Sequence, residues 1–187
     1  HYYSSLKDLT KRFSKFNESI LCFLTFEILN ILNILHSQGL VHLNICPASI
    51  GLSVKGDIFL QNFEYLEPCE LKESGKAFEH LIQRKGNWEY TSPELLQGQR
   101  IDFNSDFYSL VVLLFFLLLG PEICSRPTSF DEYEDFLSKE PLQVKKNRIP
   151  EGWSLESADF INKLIQVSEI SRLGLFSSAE LYSHLWL

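Results

Sequence analysis

The chain has 187 residues, 45% of them apolar and 22% charged, a mixture that suits one globular domain or one large lobe and excludes a disordered or fibrous polymer. A net charge of -7 and a pI near 5.2 leave no basic face for nucleic acid or an anionic membrane surface. Cys22, Cys46, Cys69 and Cys124 are scattered without a CxxC pair and no secretory leader is visible, so free thiols in an intracellular, cytoplasmic reducing compartment are expected.

The opening HYYSSLKDLTKRF reads as a turn leading into a short helix. Residues 18–38, ESILCFLTFEILNILNILHSQ, carry apolar side chains over more than one helical stripe, which predicts a long and mostly buried helix, and Gly39 is placed to stop it. Strand-like pieces follow: LVH at 40–42, SIGLSV at 49–54 and DIFLQNF at 57–63, with a Lys55-Gly56 turn between the last two. Residues 64–92 are polar and irregular, a long loop of the kind that carries function. From Pro93 onward the pattern is helical: PELLQGQ, an apolar helix at 106–119, an acidic helix SFDEYEDFLSKE at 129–140, a basic KKNR link, and two helices across 154–187. The run LVVLLFFLLLG at 110–120 falls short of the roughly 20 apolar residues a bilayer demands, so it is read as a buried core helix and no membrane span is expected. The lack of methionine and the abrupt opening suggest an excerpt of a longer protein, and no internal repeat or linker is visible.

This order of elements, with LHSQGLVHLNICPASIGL, LQNFEYL, GNWEYTSPELL, NSDFYSLVVLLFFLLLG and ADFINKLIQVSEISRLG…SHLWL in correct succession, resembles the C-terminal lobe of eukaryotic-type serine/threonine protein kinases. The resemblance implies a mainly α fold, a helical bundle with a few short β-strands around the catalytic-loop region. It also implies one unit over 1–187. Residues 1–17 would be the hinge-like start and first helix, 41–63 the catalytic-loop and metal-loop region, 64–94 the activation-segment equivalent, and 95–187 the helical subdomain. The family's N-lobe, with its glycine-rich loop and phosphate-gripping lysine, is absent from this chain and is expected upstream if it exists.

Carried over residue by residue, the resemblance implies a catalytic loop without its catalysis. The family's loop aspartate, the proton acceptor, matches Asn44, whose carboxamide has no useful basicity. The loop lysine matches Cys46. The asparagine that binds one magnesium matches Ser49, and the D-F-G aspartate matches Asn62, a neutral oxygen where a hard dication wants an anionic one. The D-F-G glycine is Glu64, the apolar floor under the adenine is Gly51, the threonine before A-P-E is Asn87, and the H-R-D arginine is Leu43, which removes the cation that reads an activation-loop phosphate. The positions that hold such a lobe together match instead: His42 with Phe63, Asp106 at the start of the buried helix, Glu94 with Arg172, and the prolines Pro47 and Pro93.

A degenerate kinase-like domain, or pseudokinase, is therefore expected, acting as a scaffold or allosteric part of a larger assembly with protein partners and with no cofactor or metal. The alternative is a divergent ATP-dependent serine/threonine kinase whose N-lobe lies upstream, and only that reading requires ATP and magnesium, with Glu64 as the one nearby carboxylate able to substitute as a metal ligand. Cys46 reads better as a small filler than as a nucleophile with His42 as base, and His36 and His184 as packing or capping residues rather than metal ligands. The acidic stretch 129–140 is either a solvated face or a docking surface for a basic partner, and nothing singles out Thr91, Ser74 or Tyr65 for phosphorylation.

Overall fold

The computed structural model describes residues 3–13, 15–69, 88–99, 101–120, 132, 135, 142–174 and 177–187. The described residues open on a strand rather than a turn. β1 (Tyr3–Ser5) leads directly into α1 (Leu6–Arg12), whose first turn is closed by a capping box between Ser5 and Asp8. Asn17 caps α2 (Glu18–Ser37) by accepting from the Ile20 amide, and Gly39, at φ 71°, ends it as the sequence predicts.

The burial of α2 differs from expectation. Leu21, Leu24, Thr25, Ile28, Leu29, Leu32 and His36 face the core, while Ile20, Phe23, Phe26 and Ile34 stay exposed. Its length and apolar composition alone would let it cross a bilayer, but that inner face is packed against protein. Hydrophobic content marks what can be buried, and only the neighbouring elements decide which face is.

β2 (Leu40–Val41) pairs antiparallel with β5 (Glu67–Pro68), and β3 (Ile50–Ser53) lies between β1 and β4 (Ile58–Leu60) in a three-stranded antiparallel sheet. The strands are shorter than the predicted runs, because residues 63–65 turn into a 3₁₀ helix that stops β4's continuation. A second 3₁₀ turn (Trp88–Tyr90) and α3 (Pro93–Leu96) precede α4 (Phe103–Leu119), capped by Asp102 and ended by Gly120 at φ 87°. Every residue of α4 from Asn104 to Leu118 is buried, so the apolar run of the sequence is the hub of the core. α2 and α5 (Leu155–Leu164) pack on it. The second predicted C-terminal helix is only one turn, α6 (Ala179–Tyr182), after a 3₁₀ turn at Glu169–Ser171. Of the acidic stretch 129–140 only Glu132 and Asp135 are described, both helical and exposed; Ser74, Asn87 and Cys124 lie outside the described residues.

Candidate functional site

The loop between β2 and β3 is built on one carboxylate. Asp106, in the first turn of α4 and fully buried, accepts from the His42 amide through Oδ2 at 2.8 Å and from the Leu43 amide through Oδ1 at 2.8 Å. The same Oδ2 lies 2.9 Å from His36 Nε2 at the end of α2, so a buried ion-pair geometry joins two helices and the loop at a single point. This clasp holds Leu43 in the left-handed region at φ 59°, a conformation costing a non-glycine residue on the order of 1–2 kcal/mol. His36 is stacked on Phe103 with ring centroids 4.6 Å apart, which fixes its orientation.

His42 sits at the centre of the loop. The Asn44 amide donates to its Nδ1 at 3.2 Å, so Nδ1 is the unprotonated nitrogen and Nε2 carries the hydrogen, donating to the Gln61 carbonyl at 3.1 Å. Its ring meets Phe63 edge-on, the centroids 5.2 Å apart, bringing the two loops into contact. An imidazole held this way has no lone pair to offer a substrate, and it is completely buried.

Several of the remaining polar groups bond to the loop's own backbone. Ser49 Oγ accepts from the Cys46 amide at 2.9 Å and donates to the Cys46 carbonyl at 3.0 Å, closing the turn around Pro47. Asn62 Nδ2 donates to the Ala48 carbonyl at 3.1 Å, an oxygen it shares with Gln61 Nε2 at 2.9 Å. Asn62 itself is left-handed at φ 65°, which an asparagine tolerates better than most residues. Cys46 is buried with its Sγ 3.9 Å from Asn44 Oδ1, and burial pushes its thiol pKa up, the backbone and hydroxyl hydrogen bonds around it opposing the shift only in part. Such a thiol is neither a cation nor a ready nucleophile. Among the described residues no group of His, Cys, Asp and Glu is arranged to hold a metal, and Glu64 is exposed in the 3₁₀ turn.

Two neighbours complete the site. Gly51 lies opposite Phe59 in the β3–β4 pairing, and the Phe59 ring lies so close over it that a Cβ at Gly51 would collide with the ring. Leu43 packs with Val41, Leu95, Leu96 and Ile101 in a small apolar cluster that ties the loop to α3. α3 is anchored in turn by Glu94, which accepts from Arg172 in a two-pronged pair at 2.9 and 3.0 Å, both residues buried. Burial raises the Glu94 pKa, but the hydrogen bonds and charge of Arg172 outweigh it and hold the carboxyl below the ordinary glutamate range. The guanidinium also donates to the Gln166 carbonyl and lies 4.8 Å from the centre of the Tyr108 ring.

The protein kinase domain family matches residues 2–187. The chain belongs to the protein kinase family. It is 26% identical over 173 residues to an Aurora kinase of Debaryomyces hansenii, covering 92% of this chain and 39% of that protein. It is 32% identical over 93 residues to the serine/threonine-protein kinase mos of Gallus gallus, covering 50% of this chain and 26% of that one. A protein kinase C delta type of Homo sapiens is 26% identical over 160 residues, covering 86% of the chain and 22% of its own length. The chain thus spans well under half the length of each of these kinases.

Within this kinase-family domain the structure brings Asn44, Cys46, Ser49 and Asn62 into one region, with His42 joined to it by the Asn44 amide, to Phe63 by ring contact and to Asp106 through its own amide. Glu94, in α3, and Arg172 form a separate pair. Sequence reasoning did not foresee His36 at Asp106, because the two stand 70 positions apart and nothing in the run LHSQ marks its partner. Nor did it foresee Phe59 over Gly51, although both residues lay in predicted strands and the hairpin register alone would have paired them.

Proposed function

We propose that this chain is a non-catalytic kinase-like domain, a C-terminal lobe that works by binding protein partners as a scaffold or allosteric component in a reducing intracellular setting. One observation carries the reading. The four positions where the family performs phosphoryl transfer hold Asn44, Cys46, Ser49 and Asn62, all uncharged, with the Ser49 hydroxyl and the Asn62 amide nitrogen bonded to the loop's own backbone. Phosphoryl transfer depends on positioned charge more than on covalent chemistry, so losing the base, the lysine and both magnesium ligands together removes its main source of rate. A loop pinned to a buried carboxylate is well suited to keeping a binding surface in shape.

The test is calorimetry of ATP against the full-length protein, with and without magnesium, followed by a phosphotransfer assay. No metal-dependent binding and no transfer is the expected result. Tight magnesium-dependent binding, with transfer abolished by Asn62→Ala, would overturn the reading in favour of a divergent serine/threonine kinase.

A further inference from the structure

At the far end of α2 from the loop, about 22 Å along the helix by its rise per residue, the surface opens into a groove. It holds about 750 Å³ between the first turns of α2, the start of α5 and the last three residues. Its apolar surface comes from Phe23, Phe26, Leu185 and Trp186, with Phe23 54% and Leu185 90% exposed. Trp186 is not loose there. Its indole donates to Glu18 Oε1 at 2.9 Å, and Glu18 also receives the Ser154 amide and hydroxyl, so the back wall is a fixed structure.

The charge of the groove is one-sided. Glu18 and Glu156 line it, and among the described residues no lysine, arginine or histidine does. Its walls are helices and a terminal turn, so an extended peptide would find no strand edge for its backbone, whereas a helix brings its own hydrogen bonds satisfied. Apolar surface flanked by two carboxylates, Glu18 held by its hydrogen bonds and Glu156 exposed, rewards a ligand carrying apolar side chains one turn apart beside a cation.

We infer that this groove is the docking site for a cationic amphipathic helix of a partner protein. The inference does not depend on whether the loop is catalytic, because none of the groove's residues belongs to it. The probe is a fluorescent 16-residue helical peptide with Leu or Phe at i, i+3, i+4 and i+7 and lysines flanking them, titrated by anisotropy into the full-length protein. A sequence-matched peptide with glutamates for the lysines is the control. The lysine peptide binds, the glutamate peptide binds at least tenfold more weakly, and the exposed-site variants Leu185→Ser and Glu156→Lys each weaken the lysine peptide several-fold while leaving the melting temperature unchanged. With Glu156→Lys the preference between the two peptides narrows. Equal affinity for both peptides, no binding, or binding indifferent to both variants overturns the inference. So does concentration-dependent self-association lost in Leu185→Ser, which would make the occupant a second copy.

Discussion

Replacing Asp106 by asparagine keeps the shape of the clasp and removes its charge. The carboxylate now accepts from the His42 and Leu43 amides at 2.8 Å each, with His36 Nε2 at 2.9 Å, in a place with no solvent access. An asparagine offers one oxygen, so whichever way it turns, its NH₂ faces a backbone N–H and leaves that donor unsatisfied, at about 1–3 kcal/mol. The bonds that survive lose their charge-assisted strength, roughly 1 kcal/mol apiece. The sum is on the order of 3–5 kcal/mol, a large part of the roughly 5–15 kcal/mol that usually holds a domain folded. The strain at Leu43 adds to the effect, since only the clasp keeps that residue at φ 59°. Urea unfolding followed by far-UV circular dichroism measures the loss, provided the slope with denaturant stays the same between variants. Asp106→Asn within about 1 kcal/mol of the parent would refute the idea that one carboxylate organises the loop.

The Glu94–Arg172 pair gives a coupled prediction: Arg172→Met or Glu94→Leu alone costs about 3–5 kcal/mol, and the double variant recovers at least about 2 kcal/mol of the sum. Because the folded carboxyl of Glu94 titrates below its unfolded counterpart, its contribution is present above the ordinary glutamate range and is lost as pH falls through it towards the folded value; thermal melts of the double variant should show a shallower acid limb, and an unchanged limb would contradict the assignment. Cys46, buried and with its thiol pKa raised, should resist a maleimide at neutral pH until the protein unfolds, while Cys22 and Cys69, half-buried, label first by mass mapping; early modification of Cys46 would mean that the loop opens. Gly51→Leu should destabilise by driving out the Phe59 ring, and Phe59→Ala in the same chain should restore part of the loss; strict additivity of the two in urea melts would show that the residues do not compete for one space.

Much of this arrangement was visible in the sequence, for reasons that can be stated residue by residue. The run from Leu110 to Leu119 is apolar on every side, and only a position at the centre of the core accommodates such a helix; the structure puts it there. Gly39 and the cap of α2 were readable because both need a specific residue type at a specific place. The outer face of α2 was not readable, since Phe23 and Phe26 look as buriable as Leu24 and Leu29 until the packing of α4 selects a side. β1 escaped notice because three residues carry too little alternation to register as a strand, and it exists only through its pairing with β3. At the site, the residue types carried the expectation of an altered loop, but not that the side chains of Ser49 and Asn62 would turn to the backbone of their own loop, which depends on the distance between β3 and β4.

The clasp also bears on how the molecule moves. Loops usually exchange their amide hydrogens within the first moments in heavy water, because they are solvated and bonded to little. Here the amides of His42, Leu43, Asn44 and Cys46 are all engaged, to Asp106, to an imidazole and to a serine hydroxyl, and the residues carrying them are buried. Two of those partners hang on α4, directly or through Asp106, so freeing these hydrogens means pulling the loop off the central helix. The loop would then belong to the slowest-exchanging unit of the protein, opening only when the whole fold does.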